Sequence, residues 1–429
     1  MRRFLNTIIK YLLFIPIFYS LILSTAQATE KPPKINAESS ILIDANTGQV
    51  LYSKEENTKH FPASTTKILT ALVVLDNTNL NDIVTIGHNP PLADGSSIGL
   101  KEGEKFTVET LLTGLLLESG NDCAEALAEH VGGSINNFAK MMNEKAKELG
   151  CNDSNFENPS GLPNNKHVTT AHDLALIMKA ALKNPDYVRI SRIICTQLPA
   201  SNLNGEKRWV NNHNHLLNKN SKYYYKYTLA GKSGYTDVAK HTFVISGEKN
   251  GEKLIAVFLK ANDKVKNYED MAKLLDYGFN NFKDIKLYSK GYKVDDLKIT
   301  KDLSIPILLG DNVLFTTEKS KDEHIDKSLK YNLPKNIKRR ELKKGDVICE
   351  ADVIVNGKKV STVNLLSGGN HDYNFKIGVY EFISNNLIAV IIVSIIILIT
   401  IISTIIFIIK KRKKKKFQKK WKHVINRKK

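Results

Sequence analysis

Cysteine is scarce in this chain of 429 residues, and the four present, Cys123, Cys151, Cys195 and Cys349, form no CxxC pair and no Cys/His ligand spacing. That excludes a structural zinc site of the usual kind. There is no HExxH, and no carboxylate cluster accompanies the one close histidine pair, His213-Asn214-His215, which reads as a hydrogen-bonding loop element. No metal and no cofactor is expected. Low-complexity tracts and internal repeats are also missing from the middle of the chain, which argues against repeat architectures. Acidic residues are absent from the last twenty positions, where thirteen Lys and Arg stand; without them the formal net charge of +19 falls to +6. The basic balance is therefore a tail effect. With only Phe417 and Trp421 interleaved among those cations, no nucleic-acid partner is expected.

What is there begins at the two ends. Arg2, Arg3 and Lys10 precede an apolar stretch, 11–23, and Ser24-Thr25-Ala26-Gln27-Ala28 supplies a small-residue cleavage site, so 1–28 reads as a secretory signal peptide. The alternative, an uncleaved N-terminal anchor, exports the bulk of the chain equally well. Residues 387–409 are an unbroken apolar run, long enough to cross roughly 30 Å of hydrocarbon as a helix. By the positive-inside rule the basic tail 410–429 is cytoplasmic, where it also attracts anionic lipid headgroups. The expected location is the cell membrane, with the folded middle outside the cytoplasm. A disulfide is permitted there, and the pairing of the cysteines is left open.

The middle reads as two domains of an α/β (α+β) protein. In 29–284, Asn46-Thr47-Gly48 and Asn250-Gly251 each separate a pair of strand-like runs, so each reads as a hairpin. Between them, 65–75, 108–117 and 122–130 have apolar residues at helical spacing, and Ser134 caps a further helix that runs to about Leu149. The pattern predicts an antiparallel sheet with a helical layer. From 288 to 372 the runs are short and strand-like, with a hairpin at Asn356-Gly357, which predicts a small, β-sandwich-like all-β domain.

Three short motifs carry chemistry. Ser64-Thr65-Thr66-Lys67 opens an apolar helix, so residues three apart share a face and an amine at Lys67 can reach the hydroxyl of Ser64. Ser246-Gly247-Glu248-Lys249 has the same spacing but falls in a strand and turn. Ser119-Gly120-Asn121 follows a helix in a polar segment; Ser134-Ile135-Asn136 matches too, but as a helix cap. Lys232-Ser233-Gly234 is the single K-[S/T]-G, placed before a strand, where Gly lets a substrate backbone approach closely.

In that order the three are the motifs of serine penicillin-interacting enzymes. With Phe61-Pro62-Ala63 ahead of Ser64, Asn158-Pro159-Ser160-Gly161-Leu162, Thr169-Thr170-Ala171-His172-Asp173 and Gly231-Lys232-Ser233-Gly234-Tyr235-Thr236, the chain resembles the low-molecular-mass penicillin-binding proteins that are D-alanyl-D-alanine carboxypeptidases. The resemblance implies a β-lactamase/transpeptidase-like catalytic domain, a peptidoglycan stem peptide ending in D-Ala-D-Ala as substrate, and β-lactam antibiotics as inhibitors. It implies Ser64 as nucleophile, Lys67 as general base and Ser119 in proton transfer. Asn121 is then assigned to the substrate amide, Lys232, Ser233 and Gly234 to the carboxylate rim, and the backbone N–H groups of Ser64 and Tyr235 to the oxyanion hole. Three positions depart from the family pattern. Ser233 replaces the usual Thr, Lys240 stands where many members have Gly, and the anchor is a full span rather than an amphipathic helix. A serine β-lactamase is the nearest alternative, but no convincing E-x-x-x-N loop stands between the second and third motifs; a catalytically silent wall-binding protein is the other. Cys123, two residues past Asn121, reads as a small buried residue rather than a reactive thiol.

Overall fold

The computed structural model describes residues 31–203, 205–299, 303–320, 325–372, 378–379, 382–384 and 386–426, so the expected signal peptide lies outside the described residues. The chain divides into two compact units, one closing at Leu287 and including Leu314–Asp326, the other formed by Tyr288–Val313 and Lys327–Lys429.

The first unit is built on a five-stranded antiparallel sheet of order β2-β1-β9-β8-β7. Its strands are β1 (Ser39–Asp44), β2 (Val50–Lys54), β7 (Thr228–Thr236), β8 (Lys240–Lys249) and β9 (Glu252–Ala261). Both hairpins read from the sequence are present. Asn250 and Gly251 take φ of +53° and +86°, the two left-handed residues that a tight two-residue turn between twisted strands requires. Two small sheets, β3 (Ile83–Thr85) with β4 (Lys105–Thr107) and β5 (Cys195–Leu198) with β6 (Arg208–Asn211), lie outside the main one.

The helices are α1 (Lys67–Asn77), α2 (Val108–Leu117), α3 (Asn121–Gly132), α4 (Ile135–Glu148), α5 (Ala171–Ala181), α6 (Pro185–Ser191) and α7 (Lys264–Asn281). Ser134 Oγ accepts from Asn137 N at 3.2 Å, the cap that the sequence predicts for α4. Helices cover both faces of the sheet rather than one. Ile41, Ile43, Val244 and Val257 join the core formed with α1 to α6, whereas Leu42, Phe243, Ile245 and Phe258 pack against Met271, Leu274 and Leu275 of α7. Side chains of a strand alternate between faces, so β1 is buried at every position only because both faces are covered.

Strand β10 (Phe282–Tyr288) pairs with β13 (Val313–Glu318) as a separate two-stranded sheet. Thr316 Oγ1 donates to Asp284 Oδ1 at 2.9 Å and its backbone N–H donates to Gln49 Oε1 at 3.0 Å. These bonds tie Leu314–Asp326 to the first unit, although the sequence reading placed the run from Val313 with the β-domain. The second unit holds a five-stranded antiparallel sheet of order β11-β12-β16-β15-β14, made of β11 (Lys293–Lys298), β12 (Ser304–Leu309), β14 (Lys327–Tyr331), β15 (Val347–Val355) and β16 (Lys358–Ser367). The β15–β16 turn has Asn356 at φ +48° and Gly357 at +76°, as its sequence predicts. The last element, α8 (Leu387–Asn426), is long and apolar enough to cross a membrane, with mean hydropathy 3.2 in its apolar part, and stays helical into the basic tail.

Candidate active site

Ser64 does not open the α-helix, as the sequence reading had it. It sits in a 3-10 turn, Ala63–Thr66, and α1 begins at Lys67. In a 3-10 turn side chains three apart eclipse, which brings this pair closer than an α-helical turn does. Lys67 Nζ donates to Ser64 Oγ at 3.1 Å. The turn is held in place on several sides. Ala63 takes φ +49°, Thr65 Oγ1 and Thr242 Oγ1 both donate to the Pro62 carbonyl, and a Cβ on Gly161 would stand 1.9 Å from the Ala63 carbonyl oxygen. Only glycine allows that approach.

Lys67 is fully buried, and its ammonium also donates to Asn121 Oδ1 at 2.6 Å and to the Ser160 carbonyl at 2.7 Å. Burial, then the charge of Lys232, holds its pKa well below the usual lysine range; Cys123 and Asp122 oppose this weakly. Beneath the turn, His167 Nε2 lies 3.0 Å from Thr66 Oγ1 while its Nδ1 accepts from Glu157 N at 3.2 Å. Burial and the Lys67 charge push His167 down to about 4, which keeps the imidazole neutral at ordinary pH.

Ser119 lies in the three-residue turn between α2 and α3, at φ +64°, a strained conformation for a residue with a side chain. Its hydroxyl is buried and has no hydrogen-bond partner among the described residues. Asn121, the first residue of α3, is engaged at both ends of its carboxamide, with Oδ1 on Lys67 and Nδ2 donating to the Asp94 carbonyl. Asp122 accepts from Ser97 Oγ at 2.6 Å and from Ile98 N and Leu100 N, fixing the loop that places Ser96 on the cleft wall.

The third motif lies within β7, a full strand at the edge of the main sheet, rather than ahead of a strand as read from the sequence. Lys232 is buried, and burial pushes it down to about 8 against a weaker opposing pull from Glu118. A Cβ on Gly234 would meet Ser64 N at 2.6 Å, so glycine keeps the space over that N–H open. Tyr235 is half exposed, its ring 4.6 Å from that of His241. Ser64, Ser119, Lys232, Ser233, Gly234 and Tyr235 thus line one cleft of about 390 Å³, with Lys67 and Asn121 behind its wall.

Of the remaining sequence candidates only His213 reaches the cleft wall, and Ser246 and Ser134 lie elsewhere. Ser246 Oγ bonds the Ala230 carbonyl, Ser134 is a cap, and His213 Nε2 lies 3.2 Å from Glu118 Oε1. The cysteines are all free; Cys123 is buried against α2, and burial raises its thiol well above the usual range. Sequence reasoning quoted residues 158–162 without giving them a task, and missed that the Ser160 carbonyl holds the lysine. It also missed Asp122, Ser96 and His167. The pattern Asn158-Pro159-Ser160-Gly161 was the available signal for the first of these.

A serine beside a buried, pKa-depressed lysine, a second serine, and a K-S-G edge strand around one cleft define a serine-type hydrolase of the penicillin-interacting class. Residues 26–263 match the D-alanyl-D-alanine carboxypeptidase family, and residues 282–373 match the C-terminal domain of penicillin-binding protein 5. The chain belongs to the D-alanyl-D-alanine carboxypeptidase family. It is 32% identical over 335 residues to the D-alanyl-D-alanine carboxypeptidase DacF of Bacillus subtilis, covering 74% of this chain and 84% of that one. It is 38% identical over 248 residues to DacB2 of Mycobacterium tuberculosis, covering 57% and 82%. The solved penicillin-binding protein 5 of Haemophilus influenzae superposes with a TM-score of 0.65 at 27% identity, covering 80% of this chain and 99% of that one.

Proposed function

We propose that this protein removes the terminal D-alanine from peptidoglycan stem peptides through an acyl-enzyme on Ser64, and that β-lactams acylate the same hydroxyl. The observation that carries the reading is the buried Lys67 ammonium 3.1 Å from Ser64 Oγ, with its pKa depressed. A lysine in water is protonated at neutral pH and is a poor base; removed from water and set near Lys232, it can take the Ser64 proton. Ser64 then attacks the carbonyl of the penultimate residue. The open N–H of Ser64, with that of Tyr235, would hold the developing oxyanion. Ser119 Oγ, with no hydrogen-bond partner among the described residues and on the cleft wall, would pass a proton to the leaving amine. Lys232 and Ser233 would hold the terminal carboxylate, and water would release the shortened peptide. Asn121 would serve first by holding Lys67, its reach toward the substrate amide depending on release of one of its two present bonds.

In the same reading 1–28 is a secretory signal peptide, 29–284 is the catalytic domain, 288–372 is a small all-β domain between it and the membrane, and 387–409 spans the membrane with 410–429 in the cytoplasm. The apolar α8 and its basic end support this orientation. The β-lactamase alternative draws little support, because no carboxylate is among the described residues lining the cleft.

The test is D-alanine release from diacetyl-L-lysyl-D-alanyl-D-alanine by the detergent-solubilised full chain, beside Ser64→Ala. Release and penicillin labelling by the wild type, with neither in the variant, is the expected result. No release but rapid turnover of a chromogenic cephalosporin would mean a β-lactamase; neither activity would leave a silent wall-binding protein.

A further inference from the structure

The site holds two buried amines, Lys67 and Lys232, and the proposed chemistry asks opposite things of them. Lys67 must give up its proton, whereas Lys232 must keep its own to hold a carboxylate. Burial drives both toward the neutral form, so it cannot tell them apart. The difference must come from neighbouring charge. The titratable groups around Lys232 are Lys67 on α1, His213 after β6, His241 on β8, and Lys264 and Tyr268 on α7, and no carboxylate is among the described residues lining the cleft. Behind the wall stands Glu118, the one acid that opposes the effect of burial on Lys232. Its place is fixed. Glu118 closes α2, its backbone N–H donating to the Gly114 carbonyl at 3.1 Å, and it directly precedes the strained Ser119. Its Oε2 accepts from Asn211 N, at the end of β6, at 2.9 Å, and its Oε1 lies 3.2 Å from His213 Nε2. The loop it grips is anchored in turn, with the His213 carbonyl accepting from the Tyr268 hydroxyl at 3.1 Å and the Asn212 carboxamide donating to the Ser191 and Ile193 carbonyls. Asp122, at the far end of the same motif, has its oxygens taken up by Ser97, Ile98 and Leu100 and opposes the depression of Lys67 only weakly.

We infer that Glu118 is a positioning residue for acyl transfer: without touching the substrate, it clamps His213 and the end of β6 to the turn that carries Ser119, and its charge keeps Lys232 an ammonium while Lys67 is left neutral. The inference rests on the acyl-transfer reading above. Burial lowers Lys232 to about 8, so its charge is poised just above neutral pH and depends on what stands near it. A charged Lys232 in turn pushes Lys67 down, so one carboxylate acts on both amines. Without Glu118 the Lys232 ammonium has lost its counter-charge, and it gives up its proton at a lower pH.

The experiment follows D-alanine release from diacetyl-L-lysyl-D-alanyl-D-alanine from about pH 5 to about pH 10, using the full chain in detergent, Glu118→Gln and Glu118→Asp. Gln keeps an acceptor for Asn211 N and loses the charge, whereas Asp keeps the charge on a shorter arm. In the wild type KM should rise with pH through about 8, as Lys232 loses its proton and its hold on the carboxylate. In Glu118→Gln that rise is expected about one pH unit lower, which cuts kcat/KM at about pH 8 by about fivefold while kcat stays within about twofold. Glu118→Asp should keep the wild-type profile. A Glu118→Gln profile that superposes on the wild type overturns the assignment and leaves the carboxypeptidase reading intact. An equal change in both variants also overturns it, because that is what a clamp without an electrostatic role would give. If Glu118→Gln does not fold, the other two profiles decide: a wild-type KM flat to about pH 10, or a rise displaced in Glu118→Asp, overturns the assignment. A wild-type chain that releases no D-alanine at any pH overturns both readings.

Discussion

In the second unit β12 and the second halves of β15 and β16 alternate buried with more exposed side chains, and among its described residues Ser367 and His371 are the only buried polar groups. In the first unit two lysines are buried within one cleft wall, Ala63 and Ser119 are held at positive φ, and the Ser119 hydroxyl is buried without a partner among the described residues. The difference is one of purpose. A sheet that only has to stand follows the period-two pattern over most of its buried stretches, whereas a site that must hold a neutral amine beside a hydroxyl places charge in a low-dielectric interior, at a cost in stability that the surrounding core offsets.

The comparison can be broken in four ways. The largest effect is expected from Lys67→Met, which removes the base while leaving Ser64. Penicillin labelling of Ser64 should slow by about 10³-fold, the range for loss of a general base, measured as the acylation rate. An acylation rate within tenfold of wild type would mean that another group activates the serine.

The second variant is Leu365→Ala in the ordinary sheet. Leu365 is fully buried, so the change should destabilise the chain by about 2–5 kcal/mol in urea unfolding, while kcat/KM on a soluble peptide stays within about twofold. Parallel loss of activity would tie catalysis to the β-domain.

The third is Lys232→Met. Burial holds the folded-state pKa at about 8 against an ordinary 10.5, so the charged form is disfavoured in the folded protein. As pH falls through that window the unfolded chain takes up a proton that the folded protein does not, so stability rises with pH between about 8 and 10.5 and carries its full cost at neutral pH. The variant should therefore lack that rise and gain about 1–2 kcal/mol at pH 7, while losing carboxylate binding as a higher KM. Removing the charge should also raise the Lys67 pKa and move the acid limb of kcat/KM to higher pH.

The smallest effect is expected from Lys240→Gly. Lys240 begins β8 at φ +55°, a conformation glycine takes freely, and the change should stabilise by about 0.5–1 kcal/mol in thermal unfolding.

Much of this was legible in the chain itself. The Asn-Gly hairpins were readable because two positive-φ residues in succession leave few sequences to choose from, and the three motifs were readable because each is a fixed local spacing. Less legible were contacts that join distant segments. Nothing near Lys67 in sequence announces that its ammonium is held by the carbonyl of Ser160, and nothing in Val313–Glu318 tells a strand of the β-domain from one that pairs with β10. The second helical face was missed for the same reason, since a fully buried strand such as β1 carries no alternation to say what covers each side.

The sequence by itself determined the order of domains, the apolar span, the turns and the identity of the reactive side chains, because propensity, hydropathy and motif spacing act over a few neighbouring residues. Only the tertiary structure decided that Ser64 sits in a 3-10 turn, that K-S-G is an edge strand facing it, and that two lysines lose their hydration together. Those depend on which remote backbone excludes water from a given amine, and burial is a property of the assembled chain.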